Sequence, residues 1–210
     1  MKKLLSVLLL ALLLTGCGNF QQNYNSHSDE TTLQENLNKV EDTTIPPQTT
    51  VEPTIDFTVV RYGDIIKTNF IEMSINKVST AQELKPSDTS GAYSYYPDEE
   101  NETYFFLTGN IKNIGTDSYS VEEMNVQFTF DGKYNYQGFI AADDGGHNFY
   151  GDRVKPFGTV KYYMYASIPD ELIRSYSTCT IKFAFHENCD YDYSTDFSKY
   201  EYLYELTVSK

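Results

Sequence analysis

Apolar residues recur along this chain in two patterns. From Leu4 to Leu14 they form one leucine-rich run, and from Ile55 onward they alternate with polar residues. Alternation with a period of two marks a strand that buries one face. Ile71, Met73 and Ile75 alternate with Glu72, Ser74 and Asn76, and Phe105, Leu107 and Ile111 share one side of YFFLTGNIKNIG. Met124, Val126, Phe128 and Phe130 follow, with Asn125, Gln127 and Thr129 between them. Asp131-Gly132 comes next, a pair suited to the positive φ angles of a tight hairpin. Tyr134, Tyr136 and Ile140 are expected together on the return strand. Three further faces read as Val160, Tyr162, Met164 and Ala166, then Cys179, Ile181, Phe183 and Phe185, then Tyr202, Tyr204, Leu206 and Val208.

No sustained helical stripe interrupts this pattern. The best short helix is PDELIRSY from Pro169, where proline and two acids stand at the places a helix start favours. Strands that each carry a single apolar face must bury it against a second sheet. The prediction is therefore all-β: an immunoglobulin-like, two-sheet antiparallel β-sandwich of about 7–9 strands over residues 55–210. A domain of that size buries roughly 68–70% of its unfolded surface, so it needs neither metal nor disulfide to hold it.

The leucine run is too short for a spanning helix, which takes about 20 apolar residues. Behind Lys2 and Lys3 it suits the apolar region of a signal peptide, expected over residues 1–16. The run ends at Leu14-Thr15-Gly16-Cys17, which resembles a bacterial lipobox. That resemblance implies cleavage before Cys17 and a diacylglyceryl group on its thiol, anchoring the protein to the membrane. Two acyl chains suffice, since each buried CH2 contributes roughly 0.8 kcal/mol. Residues 17–54 then form the lipidated cysteine and a disordered tether. They are rich in Asn, Gln, Thr, Ser, Glu and Pro, and they cannot bury enough surface to offset the entropy of ordering. The tether's coil dimension is roughly 30–37 Å, against a fully extended reach of about 120 Å.

Charge narrows the partners. Without Lys2 and Lys3, 14 basic residues face 30 acidic ones, formally −16. Nucleic acid is excluded as a partner, because binding it depends on cationic contacts to phosphate. Charge-driven docking on anionic lipid is excluded for the same reason. The 19 tyrosines and 13 phenylalanines favour half-buried strands. If residues 179–186 form one strand, Cys179 lies roughly 23 Å from His186. Three further residues return at most about 11 Å toward it. Two free thiols, Cys179 buried and Cys189, are therefore expected.

Three segments together resemble a family. They are YGDIIKTNFIEMSINKV, then YFFLTGNIKNIGTDSYSVEEMNVQFTFDGKYNY, then VKPFGTVKYYMYASIPDE. In this order they are similar to the telokin-like, immunoglobulin-like extracellular domains of Gram-positive lipoproteins. That is a family of unknown function, related to a secreted mycobacterial immunoprotective antigen. The chain departs from it in reading Pro156-Phe157-Gly158 where the family places Pro and Gly together, in a long loop over 82–102, and in a Tyr-rich tail. The shared motifs are structural turns, so the resemblance implies a fold and carries over no catalytic residues.

Candidate chemistry is sparse. His147 lies beside Asp143 and Asp144 in AADDGGHNFYGD, where an Asp–His pair can orient a base or ligate a metal. A polar inter-strand loop explains the same composition. In DYDYSTDFSKYE, Asp190, Asp192, Ser194, Asp196 and Glu201 occupy positions 1, 3, 5, 7 and 12 of a calcium-loop spacing. Thr195 stands where that loop wants glycine, and an irregular acidic crossing between strands is the competing reading. Tyr93, Tyr95 and Tyr96 in the long loop, with Tyr191 and Tyr193 in the tail, are candidate recognition surfaces if they do not pack back onto the sheets. No nucleophile–base pair or metal-ligand cluster is legible. The expected function is therefore non-catalytic: a lipid-anchored protein on the extracytoplasmic face of the cell membrane, presenting its domain to a protein or cell-wall polymer. A calcium- or carbohydrate-binding module is the second reading, and no cofactor other than calcium is expected.

Overall fold

The chain divides into two units, Met1–Thr50 and Val51–Lys210. A computed structural model describes residues 55–149, 153–187 and 194–210. The expected signal peptide, Cys17 and the tether lie outside the described residues, as do Cys189, Asp190, Tyr191, Asp192 and Tyr193.

Nearly all the regular structure in the described residues is strand. In chain order they form β1 (Thr58–Val59), β2 (Ile65–Lys67), β3 (Ile71–Ser74), β4 (Lys77–Ala81), β5 (Glu102–Asn113), β6 (Asn125–Phe130) and β7 (Tyr134–Gln137). There follow β8 (Phe139–Asp143), β9 (Thr159–Pro169), α1 (Asp170–Ser175), β10 (Thr178–Phe185) and β11 (Tyr202–Ser209). They build two sheets. The first runs β1-β11-β10-β6-β7; the second runs β2-β3-β5-β9-β8, with β4 also paired to β5. All pairs are antiparallel except β1 with β11, which is parallel. The architecture is the expected β-sandwich. Its additional strands are the short ones: β1 and β2 have two and three residues, too few to leave an alternation in the sequence.

The inner faces are those read from the pattern. Phe105, Leu107 and Ile111 meet Val126, Phe128 and Phe130 in one core with Tyr162, Met164, Cys179, Ile181, Phe183 and Phe185. Each Val, Leu, Ile, Phe or Met among them, fully buried, contributes roughly 1.5–3 kcal/mol. Asp131 and Gly132 have φ of 52° and 65°, and the Lys133 amide donates to the Phe130 carbonyl at 2.9 Å. That is the primed turn whose twist matches a hairpin. The Asp131 carboxylate also accepts the Ser177 and Thr178 amides, both at 2.9 Å, which ties the hairpin to the start of β10. The helix expected after Pro169 is α1.

One expectation is corrected. Ile140 does not continue the strand of Tyr134 and Tyr136: β7 stays in the first sheet and β8 belongs to the second. Gly138 makes the crossing. Its amide donates to the Val126 carbonyl at 2.8 Å, and a Cβ there would stand 2.6 Å from both Val126 Cγ1 and the Phe128 ring. Only a residue without a side chain passes so close to the core.

Cys179 is free and buried in β10. Burial pushes its thiol from 9.0 up to about 12, opposed in part by a backbone hydrogen bond at Thr129. A thiolate is the reactive form. In a Cys17→Ser, Cys189→Ser background, Cys179 should therefore resist thiol reagents at about pH 8 and react only on unfolding. The unfolded thiol loses its proton first, so this contribution to stability is whole below the unfolded value and declines as pH rises toward the folded one. The urea midpoint should fall between about pH 9 and pH 11, and fall less in Cys179→Ala.

Candidate functional site

β5 and β9 are apolar on both faces, through TYFFL and YYMY, so the outer side of the second sheet also needs cover. Tyr104, Phe106, Ala141, Tyr163 and Tyr165 form a second buried cluster there, closed by Leu84. The loop over 82–101 supplies the cover. Leu84 and Tyr96 pair through two backbone hydrogen bonds of 3.0 Å. The Tyr104 hydroxyl donates to the Pro97 carbonyl at 3.0 Å and to Glu99 at 3.2 Å. Burial, with Glu99 beside it, pushes that phenol up to about 12.

This packing divides the three candidate tyrosines. Tyr96 is corrected from a recognition surface to a half-buried packing residue, its ring centre 4.9 Å from Tyr165 and 5.2 Å from Phe149. Tyr93 is half-buried, with its ring centre 5.5 Å from that of Tyr95. Tyr95 alone of the three is exposed, with the Lys85 ammonium 5.8 Å from its ring centre.

His147 is likewise reassigned. Asp143 is buried and accepts from the Ser87 hydroxyl at 2.7 Å and the Gly145 amide at 2.9 Å. Asp144 accepts from the Gly146 amide. Both carboxylates shape the loop, and the imidazole turns instead to Asp88. Its Nε2 lies 3.4 Å from the Asp88 carboxylate and its Nδ1 lies 3.3 Å from the Asp88 carbonyl oxygen. The Ser90 hydroxyl and amide hold Asp88 below the usual carboxylate range, and His147 adds to this. The Asp88 amide donates to the Gly146 carbonyl at 3.2 Å, and the Ser94 amide to Asn148 at 3.0 Å. The pair therefore clips one loop to the other. No sequence spacing brings Asp88 and His147 together, because a side-chain pair across two loops leaves no periodic trace.

Part of the candidate calcium run is described. Asp196 caps a 3-10 turn, Phe197–Lys199, accepting from the Ser198 amide at 2.9 Å. Ser198 holds the Asp196 carboxyl below its ordinary value. The Ser194 hydroxyl accepts from the Asp196 amide at 3.1 Å. Glu201 lies beside Tyr202 and, after burial, helps to raise that phenol. Asp190 and Asp192 lie outside the described residues.

The turn at Pro156 holds a residue that the sequence marked only as a departure from the turn of the family it resembles. The Gly158 amide donates to the Lys155 carbonyl at 2.8 Å, so Pro156 and Phe157 are the central pair. Phe157 has φ of 64°, the region that a type II turn requires at its third residue and that glycine normally supplies. An L residue there costs about 1–2 kcal/mol. The Phe157 amide donates to the Asn113 carbonyl, and the Asn113 amide to the Gly158 carbonyl, both at 2.9 Å. Asn113 is itself buried and bonded to the Asp117 and Val154 carbonyls. The turn is thus fixed to the scaffold while Phe157 is 79% exposed. Its signal in the sequence was the phenylalanine between Pro156 and Gly158.

No family model matches the chain, and no curated protein does. Among solved structures, an uncharacterized β-sandwich protein from Clostridium difficile 630 resembles it with a TM-score of 0.61 and 19% identity, over 75% of this chain and 100% of that one. The yjhA protein from Bacillus subtilis resembles it at a TM-score of 0.41 and 17% identity, over 70% of this chain and 97% of its own. A conserved hypothetical protein from Bacillus anthracis gives 0.39 and 12%, over 64% and 93%. The first likeness shows the β-sandwich fold; at their scores the other two carry no argument.

Proposed function

We propose that this chain is a non-catalytic lipoprotein, anchored through Cys17 on the extracytoplasmic face of the membrane, whose β-sandwich presents loops to a protein or cell-wall partner. It is, in this reading, a member of the telokin-like, immunoglobulin-like lipoprotein domains that its turn motifs resemble. The anchor rests on the Leu4–Leu14 run and on Leu14-Thr15-Gly16-Cys17. The binding role rests on one observation: Phe157 is 79% exposed at a positive φ. Burial in the domain does not explain an exposed phenyl, and glycine would make the turn with less strain. Strain of this kind collects where a side chain must be shown to a ligand.

One experiment tests both parts. In the native host, the wild-type chain should take up a fatty-acid label and partition with membranes, and Cys17→Ser should do neither. Crosslinking on intact cells should yield a reproducible adduct that weakens in Phe157→Gly. That variant should nonetheless be more stable than wild type by up to about 1 kcal/mol, since glycine relieves the turn and loses little burial. An unlabelled wild-type chain overturns the anchor. An adduct unchanged by Phe157→Gly overturns the role given to this turn.

A further inference from the structure

A cleft of about 370 Å³ opens between α1 and the β6–β7 hairpin. It is at the small end of the range for ligand sites, roughly 300–1,000 Å³. Tyr134 and Tyr136 line one wall, Pro169 and Leu172 the other, and Asp131 and Glu171 bring carboxylates to it. The walls are held from behind. The Tyr136 ring packs edge-on against Phe130 at 5.9 Å, and Leu172 rests on the main core. Asp131 is fixed by the Ser177 and Thr178 amides, which also hold its carboxyl below the ordinary range.

The charges around the cleft are unbalanced. Neither Asp131 nor Glu171 forms an ion pair with a described residue. The nearby cations are engaged elsewhere: Arg174 faces Asp170 at 3.8 Å, and Lys210 donates to the Ile173 and Arg174 carbonyls. Lys133 sets its ammonium 4.9 Å from the Tyr134 ring centre, so that ring already receives a cation. Two carboxylates beside two aromatic rings favour a desolvating cation, through paired hydrogen bonds and the ring quadrupole. A neutral sugar can use the rings and donate hydroxyls to the carboxylates, but it leaves their charge uncompensated. The acidity of the whole chain, formally −14, steers a basic partner toward it.

We propose that this cleft receives an arginine or lysine side chain from a basic segment of a partner polypeptide, stacked on Tyr134 and paired with Glu171 and Asp131. This site does not depend on the lipid anchor or on Phe157. Titration of the full chain in detergent with an acetylated tetra-arginine peptide tests it, followed by amide shifts in an NMR spectrum. Shifts should centre on residues 131–136 and 169–175. Glu171→Gln and Tyr134→Leu should each weaken binding at least fivefold, with thermal melting confirming that both stay folded. Asp56→Asn, exposed beside β1 at the opposite edge of the first sheet from β7 and equal in charge change, should leave affinity within twofold. Equal weakening by Asp56→Asn and Glu171→Gln would reduce the effect to net charge and overturn the site. So would shifts at these residues from a neutral oligosaccharide but not from the peptide.

Discussion

Gly109→Ala should be the most damaging single methyl group that can be added to this protein. A Cβ at residue 109 would stand 1.8 Å from the Ser74 carbonyl oxygen and 2.7 Å from the Tyr162 ring. The site is a junction. β5 pairs with β3 through Ile111 to Asn113 and with β4 through Tyr104 to Thr108, so the neighbouring strand changes at Gly109. There the Ser74 carbonyl accepts the buried Tyr162 hydroxyl at 2.9 Å, and the Asn110 amide donates to the Ser74 hydroxyl at 2.9 Å. The obstacle is backbone, which cannot rotate away as a flexible side chain would. Relief requires β3 to separate from β5, breaking pairing and opening the core beneath Ile71 and Met73. The expected loss is at least about 3 kcal/mol, at the upper end for overpacking. Urea denaturation checks it; a midpoint within error of wild type would show that the strands do not meet here.

Phe105→Ala should cost about 3–5 kcal/mol, the range for emptying a large buried aromatic site. Phe105 belongs to the second sheet, yet its ring centre lies 5.8 Å from Phe128 and 5.1 Å from Phe130 in the first. It also meets Tyr176, just after α1, at 5.8 Å. Both sheets and the helix connection thus hold the space open, and none can collapse into it alone. Its neighbour Phe106 points to the other face, where its one ring contact among the described residues is Tyr163 at 5.7 Å and the loop over 82–101 helps to cover the cluster. Loops settle into a vacated space more readily than paired strands do. Phe106→Ala should therefore lose clearly less, and the same denaturation series reads both. Since domains are typically stable by 5–15 kcal/mol, Phe105→Ala removes a large share. Equal losses at the two positions would mean that the outer cluster is as rigid as the inner one.

The contrast between Phe105 and Phe106 shows where sequence reading reaches its limit. Alternation placed Phe105 inward, because period two is a property of the strand itself. It said nothing of Phe106, Tyr104, Tyr163 and Tyr165 beyond that they face away. Their burial depends on a loop twenty residues long that covers them. Tyr96 was left open for the same reason, as its loop position allowed exposure while the sheet beneath offered it Tyr104 and Tyr165. The His147 site was half legible: the histidine was found, but its partner Asp88 comes from another loop. At Gly138 the alternation continued through the point where the chain changes sheets, since a glycine breaks no period. Phe157 was visible as an odd residue between proline and glycine, and only its φ and exposure made that oddity a physical cost.

Local stereochemistry decided what the sequence alone could determine. Side-chain alternation set the inward faces, Asp131-Gly132 set a hairpin, and Pro169 with its following acids set a short helix; each is a short-range effect of backbone geometry and propensity. The lipobox reading at Cys17 is also local, resting on a contiguous run. Tertiary structure decided the rest: which sheet each strand joins, that the outer face of β5 and β9 is covered, that the Ser74 carbonyl at the end of β3 lies against Gly109, and that Tyr134 and Glu171 share a cleft. These depend on which segments distant in the chain come within a few ångströms of one another. That is settled by packing the whole domain at once, and no window of sequence contains it.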